Sequence, residues 1–144
     1  MVWDCYLRQE VRLSRFFGKI GVSCLRYSMG VIYLWYGVLK IVGISPVEEL
    51  VTRSTYWIRI PHFVIYLGFW EAAIGLCLMV RRMNRVGLYL LFLQLPGTFL
   101  PLIFSPEDCF TIFPYGLTLV GQFVFKNVIS IAVGLVLVGD LYRK

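Results

Sequence analysis

Glu71 stands near the middle of the apolar run YLGFWEAAIGLCLMVRR, residues 66–82, and Lys126 near the middle of another, GLTLVGQFVFKNVISIAVGLVLVG, residues 116–139. A charge at the centre of a bilayer costs about 2.5–3.5 kcal/mol on insertion scales, so such a group turns inward and pairs, or it titrates. A carboxylate and an ammonium so placed fit three kinds of chemistry. They can form a structural ion pair, a proton step through Glu71, or the polar end of a site for an otherwise apolar ligand.

Residue supply argues against several other chemistries. His62 is the single histidine, so the chain by itself lacks the two axial ligands of a bis-histidine haem. Cys5, Cys24, Cys77 and Cys109 contain no C-x-x-C pair, which speaks against a thiol relay. Cys24 and Cys77 read as small apolar packing residues at similar depth. No metal centre and no catalytic residue is expected.

The elements that must position these groups follow from composition. Of 144 residues, 59% are hydrophobic and 15% charged, against about 25% charged in ordinary soluble domains, and mean hydropathy is +0.77. The expected fold is an all-α membrane protein, a four-transmembrane-helix bundle with spans near 20–44, 61–80, 85–104 and 117–140. Residues 1–19 form a cytoplasmic N-terminal segment and residues 20–141 the membrane domain. The connections leave no room for a soluble catalytic domain.

Charge placement gives orientation. Arg8, Arg12, Arg15 and Lys19 precede the first span, Arg81, Arg82 and Arg85 fill the second connection, and Arg143 and Lys144 end the sequence. Glu48, Glu49, Glu107 and Asp108 fall in the other two connections, with Arg53 and Arg59. The positive-inside rule therefore places both termini and the 81–85 turn in the cytoplasm. The net charge of +6 reads as topology, with no nucleic-acid partner expected. Ser45-Pro46-Val47-Glu48 and Ser105-Pro106-Glu107-Asp108 each predict a short helix on the outer face, with the serine as N-cap.

Depth gathers the polar groups. At 1.5 Å per residue, Glu71 lies roughly 15 Å inward along span two and Lys126 roughly 13 Å inward along span four. Gln94 in span three and Tyr33 in span one fall near the same level. Gly68, Glu71, Ala72 and Gly75 share one helical face, and Gln122, Lys126, Ser130 and Gly134 recur at intervals of four. Arg26, Gly30, Tyr33, Gly37 and Lys40 share a face of span one. Small residues beside a charge let neighbouring backbones approach closely, so these faces are expected to turn inward. Arg26 and Lys40 lie nearer the two surfaces, where snorkelling competes with an interior role. Pro96 frees the carbonyl of Phe92 and is expected to kink span three. The expected partner of Glu71 is Lys126, directly or through Gln94, Gln122 or a water.

Several stretches together resemble a known family. Leu25-Arg26, Trp35-Tyr36-Gly37-Val38-Leu39-Lys40, Leu67-Gly68-Phe69-Trp70-Glu71-Ala72-Ala73-Ile74-Gly75, Phe113-Pro114-Tyr115 and Gly121-Gln122-Phe123-Val124-Phe125-Lys126-Asn127 resemble the DoxX-like superfamily. They are most similar to its YkgB branch, small four-helix inner-membrane proteins associated with resistance to reactive chlorine species. The resemblance covers about residues 19–140. Its pattern falls on Arg26, Gly37, Lys40, Glu71, Gly75, Pro114 and Lys126. Asn127 stands where an acid is expected after the lysine, which leaves Glu71 as the main partner for Lys126.

The resemblance implies a multi-pass protein of the bacterial inner membrane, linked to redox or oxidative-stress chemistry and acting with a partner oxidoreductase. Other members are linked to thiosulfate:quinone oxidoreduction, so a quinone or another apolar molecule in the polar layer is the implied ligand. Aromatic residues, 17% of the chain, around a few convergent polar groups suit such a site. Two alternatives stay open: an accessory subunit of a larger membrane complex whose buried charges fix helix register, and a proton or small-solute pathway. The candidate site is Glu71, Lys126, Gln94, Gln122, Tyr33, Lys40 and Arg26.

Overall fold

The computed structural model describes residues 2–45 and 62–142. Helix α1 (Val2–Val42) contains no proline and runs for 41 residues, straight through the boundary expected at residue 19. It stops at Gly43, whose φ of +75° is the left-handed conformation that glycine adopts without steric cost. Gly43 N–H donates to Lys40 O at 3.3 Å and Ile44 N–H to Leu39 O at 3.0 Å, the paired bonds of a Schellman cap. The Pro46–Glu48 part of the first expected outer helix, the loop to Pro61, and Arg143 and Lys144 lie outside the described residues.

Helix α2 (Phe63–Met79) follows His62 and leads through a 3-10 turn (Arg81–Met83) into α3 (Asn84–Thr98). Pro96 sits inside α3, and the helix breaks at Phe99 before α4 (Leu100–Phe104). Pro101 accounts for the break, because it has no N–H to donate back to Gly97. Thr98 Oγ1 donates instead to Leu95 O at 2.7 Å. Helix α5 (Pro106–Cys109) then leads into strands β1 (Phe110–Ile112) and β2 (Gly116–Leu117), paired antiparallel. This small hairpin departs from the all-α expectation. Its strands are too short for an alternating pattern to register in the sequence. Helices α6 (Leu119–Phe125) and α7 (Asn127–Tyr142) follow, interrupted at Lys126.

The second serine cap differs from expectation. Ser105 occupies the N-cap position of α5 but makes no side-chain cap bond, its ψ being 57°. A capping serine needs an extended ψ to aim its hydroxyl at the next turn. Thr118, with ψ 171°, has that geometry at α6 and accepts from Gly121 N–H at 3.0 Å.

Four long helical stretches pack in a closed ring: α1 on α2, α2 on α3, α3 on α7 and α7 on α1. Their shared core holds Met29, Tyr33, Ile74, Leu78, Leu88, Leu91, Leu95, Val133 and Leu137. Arg81–Phe104 and Leu119–Tyr142 are long and apolar enough to cross a membrane, with mean hydropathies of 1.7 and 1.9, and Phe63–Met79 is a shorter apolar helix.

Among the four long stretches the closest approach is between α1 and α2, which run antiparallel with Gly30 against Gly75 and Gly37 against Gly68. A Cβ built on Gly37 would lie 2.6 Å from Gly68 O, and one on Gly75 would lie 2.6 Å from Gly30 O. The two backbones therefore touch at both places. This seam joins the small-residue faces expected on both helices.

Candidate functional site

Glu71 and Lys40 are the charged groups that the glycine seam brings together. Lys40 Nζ donates to Glu71 Oε2 in a buried ion pair, with the residues 6% and 7% exposed respectively. Gln94 Nε2 donates to the other carboxylate oxygen, Oε1, at 2.8 Å. The carboxylate is thus held on both oxygens, one from α1 and one from α3.

The expected partner was Lys126, and the structure corrects this to Lys40. Side chains on a helix lean toward its N-terminus. In an antiparallel pair, Lys40 leans back toward Gly37 while Glu71 leans back toward Gly68, the residue that Gly37 faces. Their heads converge over glycines, where no side chain intervenes. Counting Cα heights placed Lys40 near the surface and missed this convergence.

Lys126 lies across from the pair at the interruption between α6 and α7. It is exposed, and among the described residues no acid pairs with it. Between it and Glu71 is a cavity of about 630 Å³, lined by residues of α1, α2, α3, α4, α6 and α7. Tyr33, Lys40, Glu71, Gln94 and Lys126 all line this space. Tyr33 is buried, and Ser130 lines the same cavity. Gln94 Oε1 is buried without a hydrogen-bond partner. Tyr36 and Phe123, with ring centroids 5.5 Å apart, supply aromatic wall.

Two candidates do not join this group. Gln122 is exposed and does not line the cavity. Arg26 lies outside the lining as well, with its guanidinium 4.8 Å from the Tyr27 ring centroid and its buried Nε unpartnered. The sequence reading also missed Ser28 and Thr98, which add hydroxyls to the cavity wall. Ser28 is one position before the core residue Met29, and Thr98 two after Pro96, but neither carries a signal distinguishing it from any helix hydroxyl.

No family model matches the chain, and no curated protein or solved structure matches it either. A partly open, mainly apolar space with a fixed ion pair on one wall, an ammonium on another, and Tyr33 and Gln94 also in its lining has the make-up that suits a molecule with an apolar body and a polar head.

Proposed function

We propose that this chain is a four-span membrane protein of the DoxX-like type, its termini and the 81–85 turn cytoplasmic, that holds a lipophilic ligand in the central cavity and serves a partner oxidoreductase. The observation that carries the reading is the cavity of about 630 Å³ with Lys40, Glu71 and Gln94 bonded on its wall. Its size falls within the roughly 300–1,000 Å³ of pockets that enclose a small ligand. The closed ring of helices and the exposed apolar residues around it, among them Trp35, Tyr89, Leu93 and Ile129, suit a bundle surrounded by lipid. The bacterial inner membrane and a redox or oxidative-stress setting come from the family resemblance.

A quinone is the ligand that resemblance implies, and the lining fits one. The apolar walls accept its ring and tail, and Tyr33 and Lys126 offer donors for its carbonyl oxygens. A bound quinone would supply two-electron redox chemistry, while the chain would orient it and exclude water.

The test is extraction of protein purified in mild detergent, with quinones quantified by mass spectrometry, beside a Lys126→Met variant checked for folding. Retention of near-stoichiometric quinone by the native chain and its loss in the variant is the expected result. A folded native protein with no retained lipophile, and no binding when quinone is added back, would contradict the reading.

An accessory-subunit role is the second reading, favoured by the Lys40–Glu71 pair, which ties α1 and α2 into one register. A stoichiometric partner in native purification, with the cavity variant assembling normally, would favour it.

A further inference from the structure

The charges lining the cavity do not cancel. Lys40 and Glu71 neutralise each other, and Lys126 remains as the third charged residue of the lining. The other described lining residues are neutral. The described lining therefore carries one formal positive charge. An ammonium on the wall of a mainly apolar cavity gains from an opposite charge brought to it. Among the described residues the protein supplies none, although Glu71 lines the same space, because Lys40 and Gln94 already occupy both of its oxygens.

We propose that the cavity selects an amphiphile with a single anionic head, which Lys126 binds while the tail lies among the apolar walls. This rests on the reading that the cavity holds a lipophilic ligand and goes beyond it by naming the charge of the head. A carboxylate or phosphate completes a charge-assisted hydrogen bond with the ammonium, whereas a neutral alcohol of equal tail length leaves the charge uncompensated. The Tyr33 and Ser130 hydroxyls stand on the same cavity wall as further donors to the head.

The experiment measures binding of three fluorescent probes with the same twelve-carbon tail and carboxylate, monophosphate or hydroxyl heads, using the full chain in nanodiscs of zwitterionic lipid. The expected result is that both anionic probes bind at least about tenfold more tightly than the alcohol, a difference of about 1.4 kcal/mol. Lys126→Met should abolish that preference and Lys126→Arg should keep it, with thermal unfolding confirming that both variants fold. Equal affinity for all three heads overturns the proposal but leaves the cavity reading standing. A preference that survives Lys126→Met also overturns it. Failure of every probe to bind overturns both. Adding phosphatidylglycerol to the nanodiscs separates the sources of the anion: competition identifies a membrane lipid as the natural occupant, and its absence a free single-tailed amphiphile.

Discussion

Lys40 lies three residues beyond Gly37 and Glu71 three beyond Gly68, and the two glycines face each other where α1 and α2 touch. The ion pair therefore depends on the glycine seam. Close backbones carry the two long side chains into one dry space, and Gln94 closes the remaining carboxylate oxygen.

Removing one member of this pair leaves a buried charge without compensation, which costs about 3–5 kcal/mol, whereas removing both can be nearly neutral. Lys40→Met and Glu71→Gln are each expected to lower the thermal unfolding midpoint in detergent strongly, and the double variant to regain most of the loss. Lys126→Met should leave the midpoint close to that of the native protein, because Lys126 is exposed and has no acidic partner among the described residues. Additive losses from Lys40→Met and Glu71→Gln would show that the two residues do not interact.

The seam itself is open to test at single atoms. A methyl group on Gly37 or Gly75 would meet backbone atoms at 2.5–2.6 Å, so Gly37→Ala and Gly75→Ala must push the helices apart. Overpacking of this kind costs about 1–3 kcal/mol. Gly139→Ala, with no atom within 4 Å of its added methyl, is expected to be neutral or stabilising through better helix propensity. Unfolding midpoints of the three variants check this, and equal effects would contradict the seam.

Cys109 is fully buried, and burial followed by the neighbouring Asp108 carboxylate pushes its thiol pKa up. Since the thiolate is the reactive form, a maleimide should label Cys109 slowly in the folded protein, with the rate still rising at alkaline pH. Topology is better read from Tyr115→Cys in the hairpin turn, where the native side chain is 78% exposed. An impermeant reagent should label that variant in intact cells, and labelling only after lysis would invert the proposed orientation.

Capping energies separate Thr118 from Ser105. Thr118 accepts from Gly121 N–H and donates to Asp108 O at 2.6 Å, so Thr118→Ala should cost about 0.5–2 kcal/mol. Ser105→Ala should cost less, because Ser105 makes no cap bond. Equal losses in chemical denaturation would restore Ser105 as a functional cap.

Apolar composition was enough to anticipate a predominantly helical chain, and the Gly30/Gly37 and Gly68/Gly75 faces, with Glu71 beside them, were legible because helical spacing alone puts those residues on common stripes. The break at Phe99 was not anticipated, although Pro101 could have signalled it. The hairpin left no periodic trace. Tertiary structure alone decided who pairs with Glu71. Counting residues along a helix gives the height of a Cα, but a lysine head sits several ångströms from its Cα, in a direction set by the helix's polarity and in a space set by the neighbouring backbone. Antiparallel packing over two glycines sends Lys40 and Glu71 toward each other, and the packing of the last helical stretch against the ring leaves Lys126 on the wall of the partly open cavity. Neither outcome is a property of any one segment, because each depends on which helix faces which and how closely their backbones approach.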